Sequence, residues 1–182
     1  LKDFDKNIEI IIINDGSTDR TKSILESQNN FNIIHNDFNR GKGFSIIKGV
    51  NLSSKNNIIL MDGDLEVELK SISTLINEHS LFNDHVVVGS RWNKESKSGK
   101  NINTYGNFLI NYFFNKIYST SLKDVLCCVK IINKRLFNSL KLKSSNFNIE
   151  MEIMSKLALK KINFIEKNVT YNRRNNSQGR KK

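Results

Sequence analysis

Proline is absent from all 182 residues, and cysteine occurs only twice. Cys127 and Cys128 are adjacent, which rules out a disulfide framework and the spaced pairs of a zinc knuckle. A reducing, cytoplasmic setting is therefore expected. No apolar run approaches the roughly 18–20 residues that a membrane span needs. The longest, Ile10 to Ile13 and Ile58 to Met61, have the length of strands. The opening residues Leu1 to Asp5 lack the charge layout and apolar stretch of a signal peptide. RNA-binding aromatic segments and zinc fingers are absent too, so the net charge of +11 does not signal a nucleic-acid partner. Lys, Asn and Ile are abundant along the whole chain, a pattern of coding bias rather than of one selected basic face. The excess charge still suits anionic substrates or an anionic membrane surface.

What is present fits one soluble domain covering residues 1–182, with 38% hydrophobic and 26% charged residues. Apolar runs alternate with amphipathic stretches. Ile8 to Ile13 reads as a strand buried on both faces. Asn14-Asp15-Gly16-Ser17-Thr18-Asp19 follows as a turn, with Ser17 or Thr18 capping a helix through about Ser27. Further strands are expected at Asn32 to His35, Ile58 to Met61 and Val86 to Gly89, with helices at Gly43 to Leu52 and Val67 to His79. This alternation predicts an α/β fold with a mostly parallel sheet and crossover helices. Ligands of such sheets bind beyond the carboxyl ends of the strands. The polar clusters fall there: Asn14-Asp15-Gly16, Asp62-Gly63-Asp64 and Gly89-Ser90-Arg91.

Asp62 and Asp64, two residues apart at a strand end, send both carboxylates to one side. A divalent cation removes their repulsion and bridges to phosphate oxygens; the oxygen-only donor set suits Mg²⁺ or Mn²⁺. The plain alternative is a solvated Asp-Gly turn. Asp15 can accept hydrogen bonds from a nucleobase or ribose, or simply form a turn, with Asp19 at the positive end of a helix. Arg40-Gly41-Lys42-Gly43 offers backbone N–H groups and cations to phosphate beside a helix start. Arg91 can grip phosphate with two bonds. Asn107 to Tyr118 carries an aromatic stripe that reads first as core. With Lys100, Lys116 and Lys123 nearby, a helix lying on a membrane face is the alternative.

In order, these segments resemble glycosyltransferase family 2, particularly its polyprenyl-phosphate sugar synthases. Asn14 to Asp19 resembles the family's nucleotide-binding turn, Asn39 to Gly43 its second loop and Asp62-Gly63-Asp64 its Asp-x-Asp metal motif. Gly89-Ser90-Arg91 resembles its acceptor-side strand end, and Tyr105-Gly106-Asn107 the start of its interfacial helix. Asp124 to Lys130, Phe147 to Glu152 and Tyr171 to Lys181 resemble later elements. The family pattern opens with a strand ending Pro-x-Tyr-Asn-Glu, while this chain begins just before the strand that follows. It therefore reads as truncated at its N-terminus, and as a candidate for truncation at its C-terminus.

The resemblance implies a GT-A (Rossmann-like) fold and metal-dependent, inverting transfer of a sugar from a UDP- or GDP-sugar. The acceptor is expected to be a polyprenyl phosphate or a cell-envelope glycan, at the inner face of the membrane. Asn14, Asp15, Gly16, Ser17, Asp19, Arg40, Gly41, Lys42, Gly43 and Asp62 would bind the nucleotide-sugar. Asp62, Asp64 and Glu66 would hold Mg²⁺ or Mn²⁺, and Ser90, Arg91 and Glu150 would meet the acceptor. Asp64, Arg91 and Asp124 are the catalytic candidates. A lipid phosphate attacks unaided; a sugar hydroxyl needs a base, with Asp124 the first candidate and Glu150 the second. Two other readings stand beside this one. A non-catalytic nucleotide-sugar-binding domain follows if the first strand is truly lost, and a sugar nucleotidyltransferase would need a Gly-rich activating loop.

Overall fold

A computed structural model describes residues 8–29, 31–81, 84–92 and 102–174. β1 (Ile11–Asn14), α1 (Thr21–Glu26) and β2 (Asn32–His35) come first, and the two strands pair in parallel. Then follow α2 (Lys42–Leu52), β3 (Asn57–Leu60), α3 (Leu69–Leu81), β4 (Val86–Ser90) and α4 (Ile102–Tyr118). β5 (Lys130–Asn133), α5 (Lys134–Ser139), α6 (Ile149–Leu159) and β6 (Phe164–Asn168) complete the order. The larger sheet runs β3-β5-β4-β6. β5 is antiparallel to both β3 and β4, while β4 and β6 are parallel, so three strands share one direction and β5 alone opposes them. The loops after β3 and β4 therefore leave the sheet on the same side, where the Asp62 and Arg91 segments begin.

The apolar run of β4 is continuous because both of its faces are covered. Val86 and Val88 point into a cluster with Ile58, Leu60 and Ile132, closed by Phe114 of α4 and Ile153 and Leu157 of α6. Val87 points the other way, onto Ile131 and onto Ile72 and Leu75 of α3. β1 differs from the fully enclosed strand expected: Ile11, Ile12 and Ile13 are only half-buried. Among the described residues β1 pairs on one side only, with β2, and no ladder joins it to β3. Its cover comes from α2, where a Cβ on Gly49 would lie 3.4 Å from Ile13 Cγ1. The first helix also starts later than expected, at Thr21, because Asp19 Oδ1 accepts the Thr21 N–H at 2.9 Å.

α4 is tethered along one side. Asn115 Oδ1 accepts the Leu122 N–H at 3.0 Å and its Nδ2 donates to Leu122 O at 2.7 Å. One turn earlier, Asn111 Oδ1 accepts the Val125 N–H at 3.0 Å and its amide donates to Lys123 O. Opposite this grip, Tyr105, Phe108, Leu109, Tyr112, Phe113 and Ile117 are all exposed. The aromatic stripe is thus not core, apart from Phe114 and the half-buried Tyr118 packed against it. The helical period aligned these residues on one side, where Trp92 stacks on Phe108 with ring centroids 5.0 Å apart but no other described helix or strand covers the face.

Candidate functional site

The loop between β2 and α2 is held from two directions. Asp15, just past β1, accepts the Arg40 N–H at 2.8 Å on Oδ1 and the Gly41 N–H at 2.8 Å on Oδ2. Asn36 Nδ2 adds a third bond to Oδ1 at 2.8 Å, and Asn36 Oδ1 takes Lys48 Nζ at 2.7 Å. Partial burial raises the Asp15 pKa, but these hydrogen bonds outweigh it and hold the group below its ordinary value. From the other direction the segment before α6 presses against the glycines. A Cβ on Gly43 would lie 2.1 Å from Ser144 O, and one on Gly41, whose φ is +92°, 2.4 Å from Ser145 O. Gly43→Ala is therefore expected to cost about 1–3 kcal/mol of stability. Gly63→Ala, with nothing within 4 Å of its Cβ, should leave the unfolding midpoint unchanged. Equal midpoints in urea for both variants would contradict this packing.

The nucleotide-side candidates on β1 serve the same framework. Asn14 is buried, with its amide 2.9 Å from His35 Nδ1 and its Oδ1 accepting the Ser17 N–H at 3.2 Å. Gly16 has φ +66°, and a Cβ there would lie 2.4 Å from the Phe38 carbonyl carbon. Arg40 lays its guanidinium over the Phe44 ring, 4.0 Å from the centroid.

Lys42, the first residue of α2, reaches across to the end of β3. Its Nζ lies 2.7 Å from Asp62 Oδ1, 3.0 Å from Oδ2 and 2.7 Å from Glu150 Oε1. Burial works against its charge, but the Glu150 and Asp62 carboxylates hold the Lys42 pKa above that of a free lysine. Glu150, in the first turn of α6, is buried and gives its other oxygen to Lys130. Lys130 is fully buried and also donates to Cys127 O. Burial raises the Glu150 pKa, yet the two lysines keep it below the usual carboxylate value.

Asp64 and Glu66 are met by the segment that follows β6. Asp64 Oδ1 accepts the Glu66 N–H at 3.1 Å, and Arg174 Nη2 lies 3.4 Å from its Oδ2. Glu66 takes the Tyr171 hydroxyl at 2.6 Å and the Arg174 N–H at 3.1 Å. Burial raises the Glu66 pKa, but these donors bring it below the ordinary value. Burial and the Glu66 bond together push the Tyr171 phenol up to about 12.

Among the described residues no three His, Cys, Asp or Glu side chains form a metal cluster. Asp62 and Asp64 nevertheless fit a hard cation as a pair. Both are carboxylates at one strand end, partly exposed at 36% and 27% of their side-chain areas, with open space above Gly63 between them. Such a pair suits an ion that takes its remaining oxygens from phosphate and water. All three carboxylates have both oxygens in contact: Asp62 with Lys42, Asp64 with the Glu66 N–H and Arg174, and Glu66 with Tyr171 and Arg174.

At the end of β4, Arg91 and Asp124 form a two-bond ion pair. Arg91 Nε lies 2.7 Å from Asp124 Oδ2 and Nη2 2.8 Å from Oδ1, while the Arg91 N–H also donates to Oδ2 at 2.9 Å. Asp124 is fully buried. Burial disfavours the Arg91 charge, but the Asp124 carboxylate more than restores it. Glu166 of β6 fixes the turn by accepting the Lys123 and Asp124 N–H groups, each at 2.8 Å. Ser90 is fully buried, and its Oγ has no hydrogen-bond partner among the described residues.

The structure thus brings the candidates into three groups of contacts: Asp15 with Gly41, Lys42 with Asp62 and Glu150, and Asp64 with Glu66, which the chain joins at Gly41–Lys42 and Asp62–Asp64. Asp19 stays outside them, holding the start of α1. Asn36, Glu166 and Arg174 were absent from the sequence-derived set. Only Arg174 had a signal, since it lies in the Tyr171 to Lys181 segment, whose residues 175–181 fall outside the described ones. Lys100 also falls outside them.

The sequence pattern of glycosyl transferase family 2 matches residues 1–141. An uncharacterised protein of Methanocaldococcus jannaschii is 27% identical over 93% of this chain and 80% of its own length. The dodecaprenyl-phosphate galacturonate synthase of Rhizobium johnstonii is 27% identical over 74% of this chain and 40% of its own. Among solved structures, glucosyl-3-phosphoglycerate synthase of Mycobacterium tuberculosis, in complex with Mn²⁺, UDP and glucosyl-3-phosphoglycerate, superposes with a TM-score of 0.64 at 13% identity. The match covers 93% of this chain and 63% of that enzyme. The chain thus spans less than two thirds of that enzyme and of the Rhizobium synthase.

Proposed function

Because this chain belongs to glycosyl transferase family 2, we propose that it moves a sugar from a UDP- or GDP-sugar to a polyprenyl phosphate, with inversion at the anomeric carbon. One observation carries the choice of acceptor. Both candidate bases, Asp124 and Glu150, are buried with each carboxylate oxygen already bound to a cation. A sugar hydroxyl needs a base to take its proton, whereas a lipid phosphate is already ionised near neutral pH. The name of the Rhizobium relative, dodecaprenyl-phosphate galacturonate synthase, supports the same choice.

In this reading Asp15 fixes the Arg40–Gly43 loop through the Arg40 and Gly41 N–H groups, so that the start of α2 faces the donor diphosphate. Arg91, kept rigid by Asp124, draws the acceptor phosphate to the anomeric carbon. A phosphate oxygen forms the new C–O bond as the bond to the diphosphate breaks, and the electron pair leaves with that diphosphate. Asp62 and Asp64 would hold a divalent cation, which would supply charge neutralisation for the leaving group; the Mn²⁺ and UDP bound by the mycobacterial enzyme support this. The exposed apolar side of α4 lies on the membrane that carries the acceptor, where aromatic side chains sit well at the headgroup level.

The test is a donor panel with polyprenyl phosphate in vesicles containing anionic lipid, alongside soluble glycan acceptors. Transfer to the lipid phosphate that stops in EDTA is expected. Transfer only to sugar hydroxyls would sink the acceptor assignment, and a rate unchanged by EDTA would sink the metal.

A further inference from the structure

Resting on the reading that Asp62 and Asp64 take a divalent cation, we infer that Glu150 is a positioning residue, which sets how strongly Lys42 competes with that cation for Asp62. Four charges alternate from the core to the site: Lys130, Glu150, Lys42 and Asp62. They come from β5, α6, α2 and the loop after β3, so no single element fixes the arrangement. Lys42 divides its ammonium between two carboxylates, at 2.7 Å from Asp62 Oδ1 and 2.7 Å from Glu150 Oε1.

Glu150 draws the ammonium inward, and Lys130 keeps Glu150 ionised despite its burial. If the Glu150 charge is removed, Asp62 becomes the only carboxylate on Lys42 and holds it more tightly. A cation must then displace a stronger internal partner. If the Lys42 charge is removed instead, Asp62 loses its counter-ion and faces Asp64 unscreened, which favours a cation. The two substitutions therefore act on the same oxygens with opposite signs, a pattern that general loosening of the fold does not produce.

The experiment is a titration of the full chain with Mn²⁺ alone, following the free-ion electron paramagnetic resonance signal, with thermal melts for each variant. Glu150→Gln is expected to weaken Mn²⁺ binding by about tenfold, and Lys42→Met to strengthen it by about as much. The double variant Lys130→Met with Glu150→Gln removes both buried charges together, which is commonly tolerated. It should weaken binding as Glu150→Gln does, and it decides the matter if Glu150→Gln melts at low temperature. Equal affinity in wild type and variants, or a shift of the same sign in all, overturns the inference and leaves the metal reading intact. No Mn²⁺ bound by either wild type or Lys42→Met overturns both.

Discussion

Asp64→Asn is expected to lower sugar transfer by about 10²–10³-fold, the scale of losing one group that stabilises developing charge, while the protein keeps its fold. Among the described residues Asp64 meets two polar groups, the Glu66 N–H at 3.1 Å and Arg174 Nη2 at 3.4 Å. An asparagine oxygen still accepts the first. The second joins partly exposed side chains, and such ion pairs contribute only about 0–1 kcal/mol. What disappears is a negative charge beside Asp62, and with it half of the carboxylate pair that suits a cation. Turnover at saturating donor and metal, compared with the melting temperature of the same sample, checks both halves. A variant that turns over normally would remove Asp64 from the mechanism.

Asp124→Asn reverses the pattern, with stability lost first. Arg91 is largely enclosed, and Asp124 is its fully buried counter-charge, bound through two side-chain contacts and the Arg91 backbone. Removing one charge of a buried pair leaves the other without compensation, at about 3–5 kcal/mol. Against a typical total of about 5–15 kcal/mol, that is a large share. Urea unfolding should therefore show a much lower midpoint for Asp124→Asn. The double variant Asp124→Leu with Arg91→Met should regain much of the stability but not the transfer activity. An Asp124→Asn midpoint equal to wild type would mean that the pair does not carry the turn.

The strand ends were more legible in the sequence than the contacts made there. The ends of β1, β3 and β4 were legible because strand-length apolar runs stop there and polar, glycine-containing turns begin. Which side chains meet was not legible. Lys42 and Asp62 are 20 residues apart, and Glu150 lies 88 beyond Asp62, so no local pattern links them. Lysine beside glycine looks like a phosphate ligand whether or not a carboxylate waits opposite it. The direction of β5 was hidden for a related reason: Lys-Ile-Ile-Asn reads the same beside a parallel or an antiparallel neighbour. The α4 stripe shows the limit of periodicity, which says that Phe108 and Tyr112 share a face but not whether anything covers it.

Among the described residues β1 pairs with β2 alone, and this has a practical side. A strand edge with free N–H and C=O groups is a template for any other chain that can lie along it. β1 offers three isoleucines in a row and no charged residue or proline to deter a visitor. The +11 net charge is then the main guard, because like-charged molecules repel before their edges can meet. That protection fades as added salt shortens the reach of charge. Where nothing else lies along that edge, added salt is thus expected to favour pairing edge to edge.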